Sequence, residues 1–315
     1  MLSYARKVKE EIVFNDFNED CSKALLCALI KVSGTLHLGG GLSLTIRSEN
    51  AKIAAKMHKM IKEIYHPQLE FRVSKKMKLN KNNVYILKVS KAKEILEDLD
   101  LIDGLGFHNT PSERIVFNDE TKRAYLAGIF LASGSVNNPD TSNYHLEMSV
   151  IDEEQADYIC DLMNSYNLHA KTIKRRSKYV IYLKSAEKIG DFLRAIGASS
   201  SVMEFEMTRI DRSMANTVNR WNNCDIANEI KAQSAAEKQI ADIAYVIDKA
   251  GLEVLDEKTA LIANIRLENP DLSLSELAEV YLVKTGKTIS KSGLHHRFKK
   301  IKEEADRLRS LDDDD

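Results

Sequence analysis

Leu126-Ala-Gly-Ile-Phe-Leu-Ala-Ser-Gly134 is apolar on almost every side and ends on a Ser-Gly stop. A helix of that composition has no polar face to offer water, so it must be buried on most sides. Phe117-Asn118-Asp119-Glu120, just ahead of it, supplies an Asn cap followed by two acids, where the helix dipole favours negative charge. The pattern also stands one hundred positions earlier. Phe17-Asn18-Glu19-Asp20 matches the cap, Lys23, Ala24 and Leu26 match Arg123, Ala124 and Leu126, and Ser33-Gly34 matches Ser133-Gly134. Such an echo marks an internal duplication. Ala127, Gly128 and Ala132 are small enough for the two helices to cross closely.

Each copy then continues in the same order. Residues 42–46 and 146–150 alternate apolar and polar as strands do. Helical stretches follow at 50–64 and 153–166, then strand pairs at 69–74 with 84–89 and at 170–174 with 180–184. Helices at 91–99 and 186–196 close the copies. Helix, two strands, helix, two strands, helix, twice over, predicts an α+β pseudo-twofold saddle with a helix–helix seam. Gly39-Gly40-Gly41 falls after a helix and between two strand-like runs, whereas a phosphate-cradling loop leads from a strand into a helix. A hairpin turn is expected there.

Residues 126–134 resemble the LAGLIDADG motif of homing endonucleases. Leu26-Cys-Ala-Leu-Ile-Lys-Val-Ser-Gly34 is similar to it more loosely. The resemblance implies the fold of a single-chain member of that family, in which an acid before the final Gly of each copy helps hold divalent metal. Here those positions are Ser33 and Ser133, and the sixth positions are Lys31 and Leu131. Phosphodiester hydrolysis of this kind needs hard oxygen ligands near the phosphate, and neutral hydroxyls are poor substitutes. The expectation is a degenerate site with no catalytic residue, metal or cofactor, hence no enzyme. The binding surface is a separate matter. Arg72, Lys75, Lys76, Lys78 and Lys81 on one hairpin correspond to Lys171, Lys174, Arg175, Arg176 and Lys178 on the other. They are candidates for contacts with the DNA backbone. Exposed hairpin tips are also Lys-rich for solubility and edge protection, and composition does not choose between the two readings. Tyr179 and Tyr182 are assigned to packing.

Between 199 and 228 the pattern becomes irregular and amide-rich, with Asn216, Asn219, Asn222, Asn223 and Asn228 around Trp221. It reads as an interdomain connection. Beyond it Ile230, Ala236, Ile240, Ile243, Val246 and Ile247 recur at helical spacing, and a second helix over 257–267 stops at Asn269-Pro270. Ser273 or Ser275 caps a third over 274–283, with Glu276 placed for a capping box in the former case. Gly286 breaks it, and Ser290 caps a last helix over 291–308. Two helices around a Gly-containing turn, the second basic, form the helix-turn-helix pattern. Leu277, Ala278, Leu294, Phe298 and Ile301 can supply its apolar seam. Ser275, Ser290, Lys291, Ser292, His295, His296, Arg297, Lys299, Lys300 and Lys302 are the candidate DNA-binding residues. Those near the helix start suit bases, and Lys299, Lys300 and Lys302 suit phosphates. His295-His296 has no Cys or acid nearby to complete a metal set.

Bulk properties agree with a multidomain folded chain. It has 315 residues, 43% of them hydrophobic, and a net charge of −1. Positions 284–302 hold seven cations and no acid. No apolar run approaches the roughly 20 residues of a membrane span. The start is charged where a secretory signal needs an apolar stretch, and the four cysteines lack metal or redox spacing. A cytoplasmic protein with reduced thiols is expected. The organisation reads as a first repeat over 1–110, a second over 111–200, a linker over 201–227, a helix-turn-helix domain over 228–309 and a disordered acidic tail over 310–315.

Over essentially its full length the chain resembles the WhiA family of bacterial transcription regulators. The marks are 126–134, Leu274-Ser-Glu-Leu-Ala-Glu, and Ser290-Lys-Ser-Gly-Leu-His-His-Arg-Phe. The resemblance implies sequence-specific regulation linked to sporulation or cell division, with double-stranded DNA as the partner at the nucleoid. RNA polymerase or a partner regulator is the further partner to consider if the saddle is an interaction scaffold. A monomer suffices, since the saddle is already an internal pseudo-dimer. A metal-dependent endonuclease is the reading least favoured.

Overall fold

The computed structural model describes residues 3–38, 41–75, 83–103, 106–141 and 143–312. The chain divides into two compact units, Met1–Ser213 and Met214–Asp315.

In the first unit, α1 spans Tyr4–Phe14, and α2 (Glu19–Ser33) and α5 (Asp119–Ser133) form the duplicated seam. Both seam helices start as their sequences dictate. The side-chain oxygen of Asn18 accepts from the Cys21 N–H, and that of Asn118 from the Thr121 N–H. Ala24 through Ile30 and Ala124 through Leu131 are buried on all sides, so packing against each other and the sheets stabilises these helices. Their approach is close. A Cβ on Gly128 would stand 2.6 Å from the Leu25 carbonyl oxygen and 2.7 Å from the Ala28 Cβ.

Each copy carries a four-stranded antiparallel sheet of the same topology. In the first, β1 (Gly34–His37), β2 (Ser43–Ser48), β3 (Leu69–Lys75) and β4 (Asn83–Val89) are ordered β1-β2-β4-β3. After the short strands β5 (Ile102–Asp103) and β6 (Gly106–Phe107), the second copy has β7 (Ser135–Val136), β8 (Leu146–Val150), β9 (Lys171–Arg175) and β10 (Lys178–Leu183), ordered β7-β8-β10-β9. Helices α3 (Ala51–Tyr65) and α4 (Lys93–Asp98) complete the first copy, α6 (Glu153–Ser165) and α7 (Ala186–Ala195) the second. The predicted element order is met twice. Gly39 and Gly40 lie outside the described residues, but β1 and β2 pair antiparallel on either side of them.

Leu44, Ile46, Leu87 and Val89 point into the core. Strand alternation therefore turns Thr45, Arg47, Ile86 and Lys88 to the other face. Pairing places Arg47, Ile86 and Arg72 in one row across that face.

The sequence reading missed α1. Its charges dominate the composition, yet Tyr4, Val8 and Ile12 follow at steps of four and are buried. The irregular connection expected over 201–227 is also corrected, because α8 runs unbroken from Ser199 to Ala250. Asn lowers helix propensity by only a few tenths of a kcal/mol to about 0.7. No Gly or Pro stands between Gly197 and Gly251, the positive-φ residues flanking the helix. Glu11 of α1 caps its start, accepting from the Ser200 and Ser201 N–H groups at 2.6 and 2.9 Å. The division between the two units falls inside α8.

In the second unit, α9 (Glu257–Glu268), α10 (Leu274–Thr285) and α11 (Lys291–Asp312) pack with the later part of α8. Their core joins Ile243, Val246, Ile262, Leu277, Leu294 and Phe298. Helix α11 continues into the segment expected to be a disordered tail, and residues 313–315 lie outside the described ones.

Candidate nucleic-acid interface

The local chemistry of α10 and α11 sets their angle. Ser273 and Glu276 form a capping box at the start of α10, with the Ser273 N–H donating to the Glu276 carboxylate at 2.7 Å. Gly286 ends α10 in the left-handed region, at φ 68°, a conformation that glycine adopts without a Cβ penalty. Ser290 then accepts from the Gly293 N–H at 3.1 Å and opens α11. Leu294, Phe298, Ile301 and Ala305 face the core, so the rest of the first turns of α11 faces outward. Ser290, Lys291, Ser292, His295, His296, Lys299, Lys300 and Lys302 are exposed.

The structure does not treat the predicted residues alike. Arg297 is turned to α9, where its guanidinium donates to both Asp256 carboxylate oxygens at 2.8 and 2.9 Å and to the Thr259 hydroxyl at 3.1 Å. Lys300 lies 3.6 Å from the same carboxylate, and Lys299 pairs with Glu303 one turn on at 3.6 Å. Hydrogen bonds from Thr259, with Arg297 and Lys300 beside it, hold the Asp256 carboxyl below the usual range. Ser275 is half-buried in the first turn of α10. The exposed row is thus Ser290, Lys291, Ser292, His295, His296, Lys299, Lys300 and Lys302, with Lys300 beside Asp256, while Arg297 fastens α11 to the α9 cap. Among the described residues, no three His, Cys, Asp or Glu side chains gather as a metal set.

Sequence reasoning missed Arg266, which is 2% exposed. Its guanidinium donates to Gln239 at 3.0 Å and to the Leu272 carbonyl at 2.6 Å, and lies 5.5 Å from the Phe298 ring centroid. Burial lowers its pKa. It satisfies the carbonyls of the loop before α10 and so fixes that loop against α11. The Asn269-Pro270 stop marked the loop, but nothing local marked its clamp.

In the first unit, Ser33 and Ser133 end the seam helices with their hydroxyls donating to the backbone carbonyls of Leu29 and Ile129. Ser133 also accepts from the Ser149 N–H at 3.1 Å. Lys31 donates to the His108 carbonyl. Neutral hydroxyls engaged with backbone, beside a lysine and a leucine, do not fit the divalent ion that LAGLIDADG nucleases hold.

The hairpin cations divide between faces. Arg72, on the outer row, pairs with Glu70 at 2.8 Å, and Arg175 lies 3.6 Å from Glu147. Lys75 is exposed. Lys174 sits over the Tyr179 ring, 5.1 Å from its centroid, while the Tyr179 hydroxyl donates to Glu153 at 2.7 Å. Arg176, at φ 57°, forms the turn before Lys178, which is opposite Arg175 in the ladder. Lys76, Lys78 and Lys81 lie outside the described residues. Arg47, absent from the sequence-based candidates because it lies in a strand and in no charge cluster, stands exposed in the same row as Arg72.

These features define a class of protein: a duplicated LAGLIDADG-like platform bearing serines at the acid positions, with a C-terminal helix-turn-helix. Family models agree, matching a WhiA N-terminal LAGLIDADG-like domain at 19–102, a WhiA LAGLIDADG-like domain at 122–215 and a WhiA C-terminal HTH domain at 218–305. The chain belongs to the WhiA family. It is 47% identical over 310 residues to a probable cell division protein WhiA of Enterococcus faecalis, covering 98% of this chain and 99% of the relative. A protein of the same name from Lysinibacillus sphaericus is 45% identical, with 98% of each covered. The crystal structure of full-length WhiA from Thermotoga maritima matches with a TM-score of 0.60 and 25% identity, over 98% of this chain and 99% of that one. No helix among the described residues is long and apolar enough to cross a membrane.

Proposed function

We propose that the chain is a sequence-specific, double-stranded DNA-binding transcription regulator that reads the major groove with the start of α11. The observation that carries this reading is the exposed row from Ser290 to Lys302 on a helix set by a left-handed glycine turn and a buried seam. Hydroxyls, imidazoles and Lys291 near the helix start suit base edges, and Lys299, Lys300 and Lys302 suit phosphates. The platform takes no part in cleavage in this reading, because Ser33 and Ser133 offer no hard anionic ligand. Arg72, Arg175, Arg176 and Lys178 serve as sequence-independent phosphate contacts. The reading keeps the two repeats at 1–110 and 111–200 and the DNA-binding domain at 228–309. Relatives named probable cell division proteins support control tied to division, and in this reading it is exerted at the nucleoid.

The test is fluorescence anisotropy with DNA fragments selected from genomic sequence, across a salt series. Replacing Lys299 and Lys302 together by Ala should weaken binding about tenfold and lower the salt slope by about two. Arg297→Ala should instead lower the melting stability of the second unit by about 1–2 kcal/mol, since it removes the bonds to Asp256 and Thr259. Unchanged affinity and slope in the double lysine variant would sink the assignment of α11.

A further inference from the structure

A cavity of about 850 Å³ opens within the first unit, between the start of α1, the ends of the two seam helices and the outer face of the first sheet. The DNA-binding reading does not use it. Leu29 and Leu131 from the seam, Ile53 and Met57 from α3, and Ile86 from β4 give it apolar walls. Among the described residues its charged lining is three cations, Arg6, Lys9 and Arg47, against one carboxylate, Glu49.

The cations are not equally engaged. Arg6 donates to Glu10 at 2.9 Å. Lys9 has no carboxylate within ion-pair distance among the described residues, and its ammonium faces the Phe130 ring, 5.7 Å from the centroid. Burial holds its pKa down to about 8. Arg47 likewise has no acid partner among the described residues and is exposed at the rim. A half-buried ammonium without a counter-anion is unfavourable, and an anion entering beside it would offset that cost. The volume lies in the range of small-molecule sites, about 300–1,000 Å³, which combine mostly apolar walls with a few placed polar groups. A bare phosphodiester would leave the apolar walls unused.

We propose that this cavity binds a small organic anion, with Lys9 and Arg47 taking an acidic head group and Leu29, Met57 and Ile86 holding an apolar body. This site stands independently of the DNA-binding reading.

The test titrates the full chain with anilinonaphthalene sulfonate, an acidic head group on an apolar ring system, and with phenylnaphthylamine, the same rings without the sulfonate. One saturable site is expected for the sulfonate, with the neutral dye at least about tenfold weaker. Lys9→Met and Arg47→Gln should each weaken the sulfonate about tenfold. Lys88→Met, on the same sheet face but outside the cavity, should leave it unchanged. Adenosine monophosphate and decanoate are the competitors, and displacement by one of them identifies a phosphate or a carboxylate head group. Equal affinity for the two dyes, wild-type affinity in Arg47→Gln, or displacement by neither competitor overturns the proposal. Arg47 is exposed, so its variant carries the test even if Lys9→Met fails to fold.

Discussion

Two copies of one supersecondary unit share strand order, helix caps and the Ser-Gly ending, yet they finish their seam helices differently. Ser133 closes under the second sheet, where the Ser149 N–H reaches its hydroxyl at 3.1 Å. Ser33 bonds back to Leu29 and lines an open cavity. The seam is equally asymmetric, since Gly128 in one copy meets Ala28, its counterpart, in the other. Helix α1 packs against α3 of the first copy and against α5 and β7 of the second, whereas the chain just before α5 is not helical. Duplication fixes a fold, and departures from symmetry decide which copy carries a site.

The sharpest way to break the comparison is at the seam. Gly128→Leu should destabilise the first unit by about 4 kcal/mol, or unfold it, because its new atoms meet the Leu25 carbonyl and the Ala28 methyl. Ala28→Gly should cost only about 1 kcal/mol, the ordinary penalty of a glycine in a helix. Denaturant melts of the two variants decide it, and equal losses would show that the crossing is not limited by one Cβ.

The serines give a smaller contrast. Ser133→Ala should lose about 1 kcal/mol, since the Ser149 N–H loses its acceptor, whereas Ser33→Ala should stay within about 0.5 kcal/mol. Amide exchange at Ser149 reads the difference directly.

The third contrast is a trend with pH rather than a fixed loss. Below pH 8 folded Lys9 is charged and half-buried, which disfavours the native state. Between its folded pKa of about 8 and its ordinary 10.5, the native state binds fewer protons at this site than the unfolded state. The stability of the wild type relative to Lys9→Met should therefore rise with pH across that window. A flat difference would place the Lys9 ammonium in water.

Much of this molecule was legible beforehand. The caps at Asn18 and Asn118, the close-packed Gly128 and the capping box at Ser273 are local, and local chemistry follows from spacing. The exposed row on α11 was legible too, because Leu294, Phe298 and Ile301 define its opposite face. Other features were hidden for a physical reason. Arg297 sits amid a basic run, and only the fold brings Asp256, forty-one positions earlier, to its guanidinium. Arg266 and Arg47 carry no local signature at all.

Sequence by itself determined the duplication, the buried seam, the replacement of both acids by serine and the helix-turn-helix, since each rests on periodicity or on residue identity at a fixed spacing. It also held the evidence for one continuous helix over 199–250, in the absence of any breaker, although the amide-rich composition obscured it. Tertiary structure alone decided which cations face solvent and which are tied to carboxylates. It also decided that Lys9, with no acid partner among the described residues, lies beside a cavity that Ser33 lines. Those outcomes depend on contacts between residues distant along the chain, and no local pattern encodes them.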